Sequence, residues 1–174
     1  MRGKNFGRVA KCGMMVALAF LLSYIEFLIP IPTGIPGVKL GLANLVIFAA
    51  LYLTDVRNAF IIMVVRVILT ALTFGNMFYG LFSIAGGVLS LLLMLLCKKK
   101  NLFSKVGVSI VGGVSHNVAQ ILVAMLVLET PELVWYLPVL LLSGTVAGAV
   151  IGIVGGLLLE RITGIYTRGG NGEI

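Results

Sequence analysis

The sequence predicts an all-α polytopic membrane protein with about six transmembrane helices, forming a single transmembrane domain over residues 1–174. Composition is the first observation behind this prediction, because 60% of the residues are hydrophobic and only 11% are charged. A soluble domain carries about 25% charged residues, and a chain this short leaves much of its surface exposed. The composition therefore argues against a soluble enzyme, a disordered chain and a nucleic-acid-binding domain.

Six apolar segments are the predicted helices, and they cover residues 12–29, 38–53, 58–73, 77–97, 106–128 and 133–159. A helix needs about 20 residues to span a bilayer, and the last three segments meet this length. The second and third are short, so one of them could be tilted, or the pair could form a re-entrant hairpin. The first follows a basic start like that of a signal peptide, but it ends without a small-residue cleavage site, so we expect it to be retained.

The distribution of basic residues predicts the orientation. Eleven of the thirteen lysines and arginines fall on one predicted side: Arg2, Lys4, Arg8, Lys11, Arg57, Lys98, Lys99, Lys100, Lys105, Arg161 and Arg168. The other side has only Lys39 and carries Glu129 and Glu132. Since basic residues stay in the cytoplasm, we expect a multi-pass protein of the cell membrane with both termini cytoplasmic.

Polar side chains within the predicted helices concentrate in the middle and outer half of the membrane. Ionisable residues at this depth are costly, and they usually face a cavity or a partner. We therefore predict an outward-opening ligand pocket lined by Glu26, Lys39, Asn44, Arg66, Asn76, His116, Asn117 and Gln120. Three basic side chains against one carboxylate favour a ligand with negative charge or polar oxygens.

A structural interpretation of the same residues is also open. Glu26 would pair with Lys39 at the interface, and Arg66 would pair with Asp55 or cap helix carbonyls. No second histidine or carboxylate stands at metal-ligand spacing from His116, so we predict no metal site and no catalytic residue. The chain also lacks a P-loop motif, so ATP hydrolysis of that type would need a separate protein.

The predicted first outer loop, residues 30–39, holds three prolines and two glycines, which exclude a helix there. It is also apolar, which is unusual for a loop that meets water. Two interpretations are open: a rigid connector lying on the lipid headgroups, or a lid over an outward-facing cavity.

Small residues at four-residue spacing form a second pattern. Gly144, Gly148, Gly152 and Gly156 repeat along the sixth segment, and Gly13 and Ala17 make a shorter pair on the first. Such stripes let another helix approach closely. They indicate either internal packing or the docking of a separate membrane partner, for which the candidates are Gly13, Ala17, Gly144, Gly148 and Gly152.

Five features together resemble a known family over nearly the whole chain. They are the basic start, GMMVALAF from Gly13, GIPGVKLGLANLV from Gly34, Arg66 within the third segment, and GVSHNVAQ from Gly113. They resemble the Gx transporter family, which is often labelled heptaprenyl diphosphate synthase component I. That family is similar to the substrate-binding S components of energy-coupling factor (ECF) vitamin transporters.

The resemblance implies a six-helix, non-enzymatic protein of a bacterial plasma membrane that captures a small vitamin- or isoprenoid-like ligand from outside, beneath its first loop. It further implies a transmembrane coupling protein, which small residues of the first helix would contact, and two cytosolic ATPases that use the ATP. The chain itself would hold no cofactor, and it would contact membrane lipid but no nucleic acid.

Two alternatives stay open. The chain could be a non-catalytic accessory component of heptaprenyl diphosphate synthesis, because prenyl synthases use aspartate-rich magnesium sites and this chain has only Asp55. It could also be a membrane subunit of a flavin- or quinone-linked electron-transfer complex, with a flavin or a quinone as the ligand. Haem held by two histidines of one chain is excluded, because His116 is the only histidine.

Overall fold

The computed structural model describes residues 2–29 and 41–169, with side chains over 7–29 and 41–164. Every regular element in these ranges is a helix, as the sequence predicts. The elements are α1 (Arg2–Leu28), α2 (Leu42–Leu53), α3 (Val56–Thr73), α4 (Met77–Lys99), α5 (Lys105–Leu128), a short 3-10 helix (Pro131–Tyr136) and α6 (Leu137–Gly169). The loop for which a lid or a connector was expected, residues 30–39, lies outside the described residues.

Five of the helices, α1 and α3 to α6, are long and apolar enough to cross a membrane. The predicted count of about six is therefore close, and the shortfall lies in α2. Its 12 residues extend about 18 Å at 1.5 Å per residue, against a hydrocarbon core of about 30 Å. The third predicted segment is long enough after all, because α3 has 18 residues.

Helix α2 can be short because it is surrounded by protein. It contacts α1, α3 and α6, and half of its residues are buried. Backbone groups at its ends can therefore meet protein partners, whereas irregular backbone facing lipid would leave them unsatisfied. Phe48 and Leu51 of α2 pack in the core with Ile62 and Met63 of α3 and with Val108 of α5.

The outer surface of the bundle is apolar, as a membrane protein requires. Large side chains such as Met77, Leu126 and Trp135 are 86%, 79% and 82% exposed. Extended apolar surface of this kind is unusual on a soluble monomer. Together with the five apolar helices, it shows that the chain is a membrane protein.

The basic residues gather at one end of the bundle. Three interactions join segments there: Arg8 Nη2 with Asp55 Oδ2 at 3.8 Å, Lys98 Nζ with the Leu51 carbonyl at 2.6 Å, and Lys105 Nζ with Glu160 Oε1 at 3.3 Å. The start of α1, the α2–α3 turn, the α4–α5 loop and the C-terminal part of α6 therefore share this end, which we call the basic end. The placement of this end in the cytoplasm stays a prediction from the charge asymmetry.

Three glycines of the α6 stripe, Gly144, Gly148 and Gly152, pack against α5 of the same chain. A Cβ atom on Gly148 would lie 2.7 Å from the Cα of Ile110, and one on Gly152 would lie 2.7 Å from the Cα of Val106. On Gly144 it would lie 2.9 Å from the carbonyl oxygen of Gly113. The α6 face suggested for a separate partner is thus covered by α5. Gly144, Gly148 and Gly152 serve packing between helices of the same chain.

The small-residue pair of α1 has a different environment. Gly13 and Ala17 are exposed, and a Cβ atom on Gly13 would have no neighbour within 4 Å. This face of α1 is open, so docking of a partner at Gly13 and Ala17 stays a prediction.

Candidate ligand-binding site

Three helices meet around the guanidinium group of Arg66 in α3. Its Nη1 donates to Ser23 Oγ of α1 at 3.4 Å, and its Nη2 donates to Asn44 Oδ1 of α2 at 3.3 Å. Both distances exceed the 2.7–3.2 Å that is usual for N–H···O bonds. Its Nε is buried and has no hydrogen-bond partner among the described residues. Because a guanidinium carries five N–H donors, Arg66 retains unused capacity to bind oxygen atoms.

The Glu26 carboxylate lies beside this group. Its Oε1 accepts a hydrogen bond from the backbone N–H of Gly41 at 2.5 Å, and it is near enough to Arg66 to interact with it electrostatically. Gly41 is the N-cap of α2, with φ at 74° and no side-chain cap. The carboxylate therefore sits at the positive end of α2. We call Ser23, Glu26, Gly41, Asn44 and Arg66 the Arg66 site.

Local sequence explains how the helices present these groups. Ser23 and Glu26 are three residues apart, which places them on one face of α1. The Ser23 hydroxyl donates to the Ala19 carbonyl at 2.9 Å, so its oxygen can accept from Arg66. Gly41 adopts a left-handed backbone conformation that glycine tolerates best, and this conformation turns the chain into α2. The site is thus built from α1 and α2 around a side chain of α3.

The Arg66 site lies in the half of the bundle away from the basic end. Glu26 is two residues from the end of α1, and Asn44 is in the first turn of α2. Both of these helix ends are opposite to the ends that the basic residues hold. The sequence-based expectation that Glu26, Asn44 and Arg66 share one depth agrees with this arrangement. Whether they bind a ligand stays a prediction.

Two further predicted residues lie between α4 and α5. A Cβ atom on Gly86 of α4 would be 2.9 Å from ring atoms of His116 and 2.9 Å from Cγ of Gln120. His116 and Gln120 therefore share one helix face, as their spacing predicts, and this face packs on α4. The contacts of the Arg66 site, in contrast, run among α1, α2 and α3.

Other predicted residues have roles in local structure. The Asn117 amide donates to the Leu140 carbonyl at 2.7 Å and to Ser143 Oγ at 3.3 Å, so it joins α5 to α6. Asn76 is the N-cap of α4, where its Oδ1 accepts from the Tyr79 N–H at 2.7 Å. Neither contact involves the Arg66 site. Lys39 lies outside the described residues.

The alternative in which Arg66 pairs with Asp55 does not describe the structure. Asp55 lies at the basic end and forms its ion pair with Arg8. Arg66 is more than two turns further along α3, and its donors point to Ser23 and Asn44. The neighbouring charge for Arg66 is therefore Glu26.

An aromatic cluster holds α1 next to the site. The ring of Phe74, just after α3, lies 5.7 Å from those of Phe20 and Tyr24 and 5.1 Å from that of Phe27, between ring centroids. Sequence analysis missed this cluster, although the three α1 rings follow helical spacing that could have identified it. It also missed Gly41, which contributes only a backbone N–H and so has no side-chain signal.

Comparison with known families identifies the family to which the chain belongs. The model of the family described as heptaprenyl diphosphate synthase component I matches residues 15–158. The chain belongs to this family. No curated protein and no solved structure matches it. The family predicted from the GIPGVKLGLANLV and GVSHNVAQ motifs is thus confirmed, whereas the similarity to ECF S components stays a prediction.

The region matched by the family model, residues 15–158, includes the complete Arg66 site. The description names one component of a synthase, not a whole enzyme. Among the residues with described side chains, no group of three or more histidines, cysteines or carboxylates could hold a metal ion. The groups present at the site are a guanidinium, an amide and a helix N-terminus, all of which can donate hydrogen bonds to oxygen atoms.

Proposed function

We propose that the chain is the membrane-embedded ligand-binding component of an ECF-type importer, and that it captures a small vitamin- or isoprenoid-like molecule from the outer side. The observation that carries this proposal is the Arg66 guanidinium, which lies within α3 with a buried Nε that has no acceptor among residues 7–29 and 41–164. An arginine in the middle of a membrane-spanning helix costs about 2.5 to 3.5 kcal/mol on insertion scales. Its two long hydrogen bonds offset part of this cost, and a ligand oxygen would add about 1.5 to 3 kcal/mol through a charge-assisted bond.

The proposal requires partner proteins. A transmembrane coupling protein and cytosolic ATPases would supply the energy for uptake, since the sequence contains no P-loop motif. The exposed face of α1 with Gly13 and Ala17 suits close approach by a helix of the coupling protein.

A second candidate follows from the family description. In this alternative the chain is a non-catalytic accessory component of heptaprenyl diphosphate synthesis. It would hold an isoprenoid tail in the membrane and the diphosphate at Arg66. The two candidates share the site and differ in the partner protein, which is a transporter module in one and a prenyl synthase in the other.

Reconstitution tests the importer proposal. Native mass spectrometry first identifies the molecule that co-purifies with the chain. We expect vesicles that contain only this chain to bind the molecule without accumulating it, and accumulation to begin when the coupling protein and ATPases are added. Accumulation by the chain alone would contradict the proposal. Faster heptaprenyl diphosphate formation by a catalytic subunit would favour the accessory role, and a co-purified flavin or quinone without uptake would favour the electron-transfer alternative.

Substitution of Arg66 tests the site. We expect Arg66→Ala to weaken binding of the co-purified molecule by about one to two orders of magnitude, at about 1.4 kcal/mol per tenfold change, with little effect on the melting temperature. Arg57→Ala is the matched control, because Arg57 is an exposed arginine of the same helix at the basic end. Lower stability with normal binding by the folded fraction would show that Arg66 is structural.

Cysteine labelling tests the side from which the ligand enters. In a background without Cys12 and Cys97, we expect Glu132→Cys to react with an impermeant maleimide from outside intact cells. Lys100→Cys, at the basic end, should react only after permeabilisation. The reverse pattern would place the Arg66 site towards the cytoplasm and overturn capture from outside.

A further inference from the structure

We infer that the Glu26 carboxylate occupies an oxyanion-binding position at the N-terminus of α2, and that a phosphate or carboxylate group of the ligand displaces it. This inference rests on the proposed ligand-binding role of the Arg66 site and names the chemical class that the site selects. It also assigns Glu26 a role as an internal competitor, in contrast to a direct ligand contact.

Two independent features make the position attractive to an anion. The first is the N-terminus of α2, a 12-residue helix whose N-cap, Gly41, has no side-chain hydrogen bond. The Asn44 N–H donates to the Gly41 carbonyl at 2.8 Å, and the remaining N–H groups of the first turn carry the partial positive charge of a helix N-terminus. The second is Arg66, whose Nη2 reaches Asn44 in that same first turn at 3.3 Å. The guanidinium of α3 thus reaches the first turn of α2.

Glu26 already fills part of this position with an oxyanion. Its Oε1 accepts a hydrogen bond from the Gly41 N–H at 2.5 Å, yet within the part of the chain that the structure describes the buried Nε of Arg66 has no acceptor. One carboxylate tethered to α1 therefore satisfies the helix end but leaves the guanidinium incompletely bonded. A phosphate group has more oxygen atoms, and an untethered carboxylate can take a bidentate position. Either could serve both donors at once.

Glu26, which occupies the position, belongs to α1, the helix with the smallest buried share among the candidate membrane spans. Within its apolar span, only a small share of α1 is buried, and the donors Gly41 and Arg66 belong to α2 and α3. The anion-binding groups can therefore stay in place while the Glu26 side chain moves away. Since two anions cannot share the position without repulsion, the Glu26 charge lowers the affinity for a ligand.

The test measures binding of inorganic pyrophosphate to the full chain in phosphatidylcholine nanodiscs. We expect Glu26→Gln to bind pyrophosphate about tenfold or more tightly than the natural chain, because the competing charge is gone. The glutamine carbonyl can still accept from Gly41, so the fold is kept. Glu132→Gln, which removes an exposed carboxylate at the same end of the bundle, should leave the affinity unchanged.

The outcomes separate this inference from the proposed function. Unchanged or weaker pyrophosphate binding in Glu26→Gln overturns the inference, and if Arg66→Ala still weakens binding of the co-purified molecule, the proposed function survives. An equal gain in Glu132→Gln also overturns it, since a general charge effect would then explain the result. Nanodiscs with phosphatidylglycerol form a second arm. If this lipid raises the melting temperature of Glu26→Gln more than that of the natural chain and blocks pyrophosphate, the displacing oxyanion is a lipid headgroup.

Discussion

Helices α1 to α3 and helices α4 to α6 are held together by different interactions. Around α1 to α3 the contacts are side chains: the long hydrogen bonds of Arg66, the Glu26–Gly41 bond and the rings around Phe74. Around α5 and α6 the backbones themselves approach, at Gly113, Gly144 and Gly148. Side chains can exchange partners at modest cost, whereas close-packed backbones cannot. The first half is therefore suited to bind and release a ligand, and the second half to hold a fixed frame.

The largest effect is expected from a substitution that disrupts the packing of α5 against α6. Gly148→Leu would place a Cβ atom 2.7 Å from the Cα of Ile110, where no rotamer change can relieve the overlap. We expect the free energy of unfolding to fall by about 3 kcal/mol or more, measured by thermal melts in detergent.

Gly156→Leu is the control for this substitution. It lies two turns further along the same stripe, and a Cβ atom there would have no neighbour within 4 Å. Equal melting temperatures for the two variants would contradict the close packing of α5 and α6.

A smaller effect is expected from a substitution that weakens only the contacts between α1 and Phe74. Phe74→Ala removes the ring that contacts Phe20, Tyr24 and Phe27. Since an aromatic pair contributes about 0.5 to 1.5 kcal/mol beyond its buried area and the half-buried Phe74 makes three such pairs, we expect a loss of about 2 kcal/mol. Hydrogen exchange should become faster over residues 20–27 and stay unchanged in α5. Phe78→Ala, at an exposed ring in the first turn of α4, is the control. Uniformly faster exchange along the chain would mean that the two halves are not distinct.

The smallest effect is expected at Asn117, where the substitution distinguishes a role in α5–α6 packing from a role in ligand binding. Asn117→Ala removes hydrogen bonds to Leu140 and Ser143 of α6, and such bonds average about 0.6 kcal/mol between membrane helices. For the two bonds we expect a loss of about 0.6 to 1.2 kcal/mol, with unchanged affinity for the co-purified molecule. Reduced affinity without a change in stability would instead place Asn117 in the pocket that the sequence predicts.

Much of the fold was predictable because hydrophobicity alone decides which segments become helices in a membrane. The predicted boundaries of the fourth and fifth segments differ by at most two residues from α4 and α5. Length failed as a criterion for α2, because a helix buried among other helices does not need to match the bilayer. The sequence shows that this segment is apolar, but it does not show which helices will pack around it in the folded protein.

The sequence predicts the membrane depth of the polar side chains at the candidate site, but not the direction in which each side chain points. The sequence groups Glu26, Asn44 and Arg66 because polar residues at similar membrane depth need partners. In the structure Asn44 accepts from the Arg66 guanidinium and Glu26 interacts with it electrostatically. Asn117 has the same depth signal, yet its amide turns towards α6. Direction depends on how adjacent helices rotate, which is decided by glycine contacts such as that between Gly113 and Gly144.

The bond between Lys98 and the end of α2 has a consequence for biosynthesis. Lys98 Nζ donates to the Leu51 carbonyl at 2.6 Å and lies 4.5 Å from the centre of the Tyr52 ring. It thereby gives the C-terminus of this short helix a cation. Lys98 follows Leu51 by 47 residues, so the ribosome has translated α3 and nearly all of α4 before that partner exists. We therefore expect α2 to reach its final depth only after α4 has been synthesised and has entered the bilayer.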